Sequence, residues 1–410
     1  MDLRTGHAFW PIRDGLIATY PSLTHDERAD VAIVGAGISG ALIAHALATV
    51  GADVVVVDKR DVLTGSSAAT TGLLLYETDT MLTELATHVG ERQAARAWRL
   101  GLDAIDRIEA LCHEFGDTAG FNRRPSLYFA SRDEDVDALQ EEHALRRRHG
   151  FDVEWLDRAD IERRYGFSAP GALYGRGGGE IDCYRFGHQL LAAATAHGAR
   201  IYDRTEVERV RHEKSGVVIR IAGGHTIRAR RLVVAAGYET THYLRRRTGH
   251  LHSTWAFVSE PVPTFGAWTD RCLIWETARP YLYLRTTDDN RVLVGGEDEP
   301  YSTRHEDLTR LARKTQRLQR RVQTLFPDLS IEPAYSWAGV FADTTDGLPF
   351  IGSSREHADT WFALGYGGNG ITFSAIAADL LRDAYLGRRN PDAKIFAFTR
   401  RIRRRARRPR

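Results

Sequence analysis

Lysine is scarce in this chain, with four residues against 52 arginines, and only three cysteines and two methionines occur in 410 residues. Cys112, Cys183 and Cys272 lie far apart and form no C-x-x-C pair, which excludes a disulfide framework, gives no sign of a metal site and suits a reducing cytoplasm. No apolar run reads as a membrane anchor and the N-terminus has no signal-peptide core, so a soluble, cytoplasmic protein is expected. There is no internal repeat; low complexity is confined to Gly175–Gly179 and an arginine tail. That tail, Arg400 to Arg410, holds eight arginines and no acid, so a chain of net charge +2 divides into a body of −6 and a basic end. Arginine enrichment is chain-wide, so the tail reads as a solvated arm rather than a surface for nucleic acid or lipid. Hydrophobic content of 43% and charged content of 27% describe an ordinary globular protein, long enough for two domains.

What is present is concentrated first in Asp30 to Asp58, DVAIVGAGISGALIAHALATVGADVVVVD. A β-branched strand (Val31 to Val34) runs into Gly35-x-Gly37-x-x-Gly40, an apolar helix follows, and a second strand (Val54 to Val57) ends in Asp58. Gly35 permits the tight turn, Gly37 admits a pyrophosphate close to the backbone, and Gly40 lets the helix pack closely. The helix N-terminus, with Ile38 and Ser39, offers unpaired N–H groups and about half a positive charge to a diphosphate. Asp58 can accept hydrogen bonds from a ribose hydroxyl. Strand, turn, helix, strand and acid together make a dinucleotide-binding unit. An empty βαβ crevice is the plain alternative.

Beyond it, residues 82 to 115 carry Trp98, Leu102, Ile105, Ile108, Leu111 and Phe115 at helical spacing. Short strands are expected at Leu127 to Ala130 and Val153 to Leu156, flanking a charged helix. A helix from Arg185 to His197 leads into strands at Ile201, Val217 to Ile221 and Leu232 to Ala236. Further strands follow near Trp255 to Ser259, Leu273 to Trp275, Tyr281 to Leu284 and Val292 to Val294, then a basic helix from about Glu306 to Leu325. Consecutive strands without helices between them imply an antiparallel or mixed sheet, so the chain weaves twice between two domains.

A second glycine pattern, Gly365-x-Gly367-x-x-Gly370, follows a strand (Trp361 to Leu364) and precedes an apolar helix through Leu386. After that helix come Gly387, Arg388, Arg389, Asn390 and Pro391, so no second βαβ unit closes. The better reading is a helix N-terminus aiming N–H groups at an electron-rich ligand such as the pyrimidine end of a reduced flavin. Loop packing and a second nucleotide site are the alternatives.

With these pieces placed, the chain resembles the D-amino acid oxidase-like flavoproteins, the group that contains glycine oxidase, sarcosine oxidase and γ-glutamylputrescine oxidase. The resemblance spans about Asp30 to Leu386. It rests on the Gly35 to Gly40 fingerprint, Gly65-Ser66-Ser67-Ala68-Ala69-Thr70-Thr71-Gly72, Val233-Val234-Ala235-Ala236-Gly237, and Trp337 through Gly370 with Asp346-Gly347-Leu348-Pro349 inside. It implies an α/β fold: a Rossmann-like FAD-binding domain (1–80, 180–245 and 337–399) and a second, α+β substrate domain on an antiparallel or mixed sheet (81–179 and 246–336), with 400–410 as basic tail. It implies FAD, with Asp58 and Lys59 by the adenosine ribose, Val207 by the adenine, and Ser66, Ser67, Thr70, Thr71 and Gly72 near pyrophosphate and flavin. Ala236, Gly237 and Asp346 join them, and Gly367, Gly368, Asn369, Gly370 and Ile371 border the flavin pyrimidine. The Tyr281-Leu-Tyr283-Leu-Arg285 segment looks most like the γ-glutamylputrescine oxidase branch. Alternation puts Tyr281, Tyr283 and Arg285 on one strand face, expected over the flavin, with core packing of the tyrosines as the alternative.

Glycine oxidase-like members carry an arginine two residues after the glycine of a W-A-G segment, where it pairs with the substrate carboxylate. Here Trp337-Ala338-Gly339 is followed by Val340 and Phe341, which disfavours a simple α-amino acid unless Arg285 or Arg279 substitutes. No cysteine lies near Gly339 and no histidine near Ser66 to Thr71, so the FAD is expected to be noncovalent. No lysine stands in Arg291 to Gly295, where the sarcosine branch keeps its oxygen-activating residue, so the electron acceptor is oxygen or another carrier. The implied reaction oxidises the C–N bond of an amine or amino-acid derivative by hydride transfer to flavin N5, giving an imine that hydrolyses. Trp337, Phe341, Tyr281 and Tyr283 are expected to line the substrate pocket, with Tyr281 or Arg285 orienting a polar end of the substrate. Histidines receive no catalytic role, His252 being the nearest to an exception. Competing readings are oxidation of a 2-hydroxy acid or polyol, and a flavin fold kept as scaffold for the basic tail.

Overall fold

A computed structural model describes residues 4–244, 249–302, 307–357 and 359–402. Among them, eight strands form one sheet and ten form another.

The first sheet is built around strand Glu27–Val34, parallel to Val54–Val57 on one side and to Thr226–Val234 on the other; Arg200–Tyr202 and Thr360–Leu364 extend it in parallel at either side. Phe350–Ser353 closes one edge antiparallel, and Gly216–Ile221 with Val207–Glu213 continues from Thr226–Val234 as an antiparallel pair. Because both faces are covered, the central strands are continuously apolar. Val31, Ile33, Val54 and Val56 pack against helices, while Ala32, Val34, Val55 and Val57 pack with Val217, Ile219 and Ile221. The helix face carries Ile38–Ala48, every residue of which is buried, against Gly370–Tyr385 and Cys183–Ala196. Ser39 Oγ and Ser374 Oγ lie 2.7 Å apart where the first two of these helices meet.

The second sheet runs, in spatial order, Arg4–Gly6, Pro333–Asp343, His250–Ser259, Val292–Pro300, Leu282–Thr286, Leu273–Glu276, Asn122–Phe129, Gly171–Glu180 and Leu73–Leu74, with Val153–Asp157 also paired to Gly171–Glu180. Its pairings are antiparallel except that of Leu273–Glu276 with Asn122–Phe129, so the sheet is mixed as expected. One face is covered by helix Leu308–Leu325, whose Leu311, Leu318 and Val322 pack with Trp255, Leu282 and Leu284. Alternation therefore sends Tyr281 and Tyr283 to the opposite face. The expected start of that helix, Glu306, lies outside the described residues.

Three differences from the sequence reading have physical causes. The glycine-rich stretch is part of a ten-residue strand, Gly171–Glu180. Glycine weakens a strand, but here its neighbours crowd the backbone: a Cβ at Gly171 would stand 2.4 Å from the Trp155 ring and one at Gly178 2.9 Å from the Arg124 carbonyl. The boundary drawn at Trp337 falls inside strand Pro333–Asp343, which pairs with His250–Ser259 in continuous register from Asp343 to Tyr335. The tail does not begin as a solvated arm at Arg400. That guanidinium is buried, donates to both oxygens of Asp346 at 2.7 Å and lies 3.8 Å from the centre of the Phe350 ring. Residues 403–410 lie outside the described residues.

Candidate functional site

Between the two sheets lies a cavity of ≈ 560 Å³, within the roughly 300–1,000 Å³ typical of cofactor and small-ligand sites. Its lining reaches from Val34 to Ile371.

At one end, the first strand turns at Gly35, whose φ of +105° suits glycine and where a Cβ would meet the Ala235 carbonyl oxygen at 2.4 Å. Gly35, Gly37, Ile38 and Ser39 line the cavity; a Cβ on Gly37 would come within 3.0 Å of Ser67 Oγ. Gly40 does not line it: it sits directly beneath the carbonyl of Gly35 and permits the turn from behind. Asp58 closes the second strand, its two oxygens accepting from the backbone N–H groups of Ala36 (2.7 Å) and Arg60 (2.9 Å). Burial raises its pKa against those two hydrogen bonds. Lys59, Val207, Ala236 and Gly237 line the same end, and Lys59 and Arg60 both pair with Glu239.

The hydroxylated loop forms a side wall. Ser66, Ser67, Thr70 and Thr71 line the cavity, and Ser67 Oγ accepts from the N–H of Ile38 at 2.9 Å. Ser66 Oγ is buried without a hydrogen-bond partner among the described residues. From behind, four distant side chains hold the loop by its carbonyls: Arg4 Nε to Thr64 (2.8 Å), Trp337 Nε1 to Ala69 (2.8 Å), Trp10 Nε1 to Thr70 (2.6 Å) and an Arg285 nitrogen to Gly72 (2.7 Å). The outer carbonyls are thereby consumed. The hydroxyls are left to face inward.

Two expected pocket residues accordingly belong elsewhere. Trp337 is 1% exposed and braces Ala69 instead of lining the cavity. Arg285 keeps the strand face of Tyr281 and Tyr283 but lies beyond the cavity, buried and bonded to the carbonyls of Gly72 and Ile181. Gly72 itself is wedged between Arg285 and Ile181, off the cavity. Asp346 is also off it, fully buried and occupied by Arg400. Arg279 donates to the carbonyls of Glu276, Thr277 and Ala278.

The far end is aromatic. Tyr281 and Tyr283, with ring centres 5.6 Å apart, stand with Trp275, Val340 and Phe341, and burial pushes both phenol pKa values up, so each keeps its proton. His252 stacks on Phe341 at 5.2 Å and pairs with Asp343 at 3.2 Å, behind the cavity wall. Gly367, Gly368, Asn369, Gly370 and Ile371 line the cavity at the start of helix Gly370–Tyr385. The N–H of Gly368 is already engaged, donating to Asp79 Oδ2 at 3.0 Å. Asp79 lines the cavity but escaped the sequence reading, since nothing periodic marks the loop that carries it.

The residues fit an extended dinucleotide: a turn without side chains, an acid after the second strand, an orphaned buried hydroxyl, and a wide aromatic end. The family described as DAO, FAD dependent oxidoreductase, matches residues 30–384, and the chain belongs to it. It is an FAD-dependent enzyme. It is 29% identical over 398 residues to the glycine oxidase of Geobacillus kaustophilus (strain HTA426), covering 93% of this chain and 98% of that protein. It is 26% identical over 381 residues to the gamma-glutamylputrescine oxidoreductase of Escherichia coli (strain K12), covering 90% and 86%. The crystal structure of the Geobacillus kaustophilus glycine oxidase matches with a TM-score of 0.80 at 26% identity, over 92% of this chain and 100% of that one. Among the described residues no helix is long and apolar enough to cross a membrane.

Proposed function

We propose that this enzyme oxidises the C–N bond of an amine, the product imine then hydrolysing to a carbonyl compound and a released amine or ammonia. The observation that carries the reading is the aromatic end of the cavity: Tyr281, Tyr283, Trp275 and Phe341 enclose it. Among the described residues the only Lys or Arg side chains lining the cavity are Lys59 and Arg60, both held by Glu239 at the nucleotide end. FAD bound along the cavity supplies the acceptor for the hydride that leaves the carbon next to nitrogen. We assign Gly35, Gly37, Ile38, Ser39 and Ser66 to its phosphates, Asp58 to its ribose, Val207 to its adenine, and Gly367 to Ile371 to its pyrimidine edge.

The chain's part in the chemistry is to deprotonate, orient and dry the substrate. An alkylamine of pKa about 10.4 needs about 4 kcal/mol to be neutral at pH 7. Burial against apolar walls shifts an amine by about 3–5 units, whereas cation–π contact favours the charged form by only about 0.5–2 kcal/mol. Desolvation wins, so no dedicated base is required. Tyr281 and Tyr283, both protonated, can donate to a polar group of the substrate.

The flavin is held without a covalent bond. Cys183 is the cysteine that lines the cavity, and burial pushes its thiol up, away from the reactive thiolate. Acid precipitation should leave all yellow colour in the supernatant. The reading is tested by anaerobic mixing of the purified flavoprotein with amines, 2-hydroxy acids and polyols: bleaching by amines is expected, and bleaching by hydroxy acids alone would overturn it.

A further inference from the structure

The substrate end of the cavity contains one carboxyl side chain among the described residues, that of Asp79, and no Lys or Arg. Asp79 lies on the loop between strand Leu73–Leu74 and helix Leu82–Val89, and that loop is fastened at several points. Asn369 Nδ2 donates to the carbonyls of Leu75 (3.1 Å) and Glu77 (2.8 Å), Thr372 Oγ1 to Leu75 (3.2 Å), and Trp98 Nε1 to Thr78 Oγ1 (3.2 Å). The carboxylate is thus set in place before any ligand arrives. Gly368 N–H donates to Oδ2; among the described residues Oδ1 accepts no hydrogen bond and no Lys or Arg nitrogen pairs with the group.

The surroundings ask for a cation. Asp79 is exposed to the open cavity, yet the protein packed around it raises its pKa by desolvation, and the charge of Asp343 adds to that; Gly368, Arg279 and His252 oppose it without closing an ion pair. Behind Tyr281, the pKa of Asp298 is raised to about 6, by burial first, against a hydrogen bond with Thr254, and then by the Asp79 charge. Asp79 on the wall it shares with Tyr281, Tyr283 and Trp275, with Asp298 behind, makes an acidic and aromatic site that suits an ammonium and disfavours a carboxylate.

Resting on the amine-oxidase reading, we propose that Asp79 binds a second, cationic nitrogen of the substrate, so that the enzyme selects diamines or polyamines over monoamines and amino acids. The nitrogen held by Asp79 is the one that does not react. A carboxylate beside the reacting nitrogen would keep it protonated and block loss of the neighbouring hydride, whereas the distal ammonium stays charged throughout and only needs an anchor.

The test is steady-state kinetics on the FAD-loaded enzyme with 1,4-diaminobutane, butylamine and glycine, using an artificial electron acceptor. A charge-assisted contact of this kind corresponds to about 10–100-fold in kcat/KM. Diaminobutane is expected to exceed butylamine by that factor, with the difference in KM. Asp79→Asn should bring the diaminobutane-to-butylamine ratio close to one, and Asp79→Glu should restore part of it. FAD content confirms that each variant is folded. Equal efficiency for the two amines, a better rate with glycine, or a ratio that survives Asp79→Asn overturns the assignment while leaving amine oxidation standing. Absence of turnover with every amine overturns both.

Discussion

The guanidinium of Arg285 donates to the carbonyl oxygen of Gly72 at 2.7 Å, joining the second sheet to the hydroxylated loop that walls the cofactor cavity. A second bond from the same nitrogen reaches the Ile181 carbonyl at 3.2 Å, and Glu180 lies 3.9 Å from the guanidinium. The residue is a clamp on the wall rather than part of the pocket.

Arg285→Met should therefore weaken FAD binding. Hydrogen bonds from a charged donor contribute about 1.5–3 kcal/mol, so the dissociation constant is expected to rise about tenfold or more. Quenching of FAD fluorescence on titration with apoprotein measures it. An unchanged constant would show that the loop keeps its shape unaided.

Gly37→Val should yield colourless protein. The Cβ alone would come within 3.0 Å of Ser67 Oγ, and the two methyl carbons beyond it would project into the space above the turn. Full yellow colour in that variant would place the phosphates elsewhere.

Phe341→Arg should move preference toward amino acids, because it introduces a cation at an aromatic wall that otherwise offers a carboxylate no cationic partner among the described residues. The ratio of kcat/KM for glycine over butylamine is expected to rise by about tenfold or more. A ratio identical to that of the unmodified enzyme would count against Phe341 facing the substrate.

His188 predicts an acid limb of stability. It is 3% exposed, neither ring nitrogen has a partner among the described residues, and burial pushes its pKa down to about 4. The unfolded chain, with a histidine near 6.5, takes up a proton between about pH 6.5 and 4 that the folded chain refuses. This stabilisation is present above 6.5 and is lost as pH falls, by roughly 3 kcal/mol at most. His188→Leu should show a smaller fall in Tm between pH 7 and pH 5; an equal fall would exclude His188 as its source.

Much of the nucleotide end was legible because each feature is local. The turn glycines, the apolar helix and Asp58 sit within 29 consecutive residues, where spacing and residue type specify geometry directly. The faces of Tyr281 and Tyr283 were legible from alternation, but alternation gives a face and not a depth. Arg285 shares their face and still falls outside the cavity. Asp79 was illegible for another reason: its position is imposed by Asn369 and Gly368, which lie 289 residues further on in the case of the Gly368 bond. The motif around Asp346 points to a cofactor contact, yet a buried arginine 54 positions later takes both its oxygens.

Val233 sits in register between Ile33 on one side and Trp361 on the other. During synthesis the opening βα unit must accordingly wait, its apolar edge uncovered, until some two hundred further residues have left the ribosome. Such long-range parallel pairing makes for slow folding and a sticky nascent chain. Yields of this enzyme in a heterologous host should depend on chaperone supply and growth temperature more than on flavin supply.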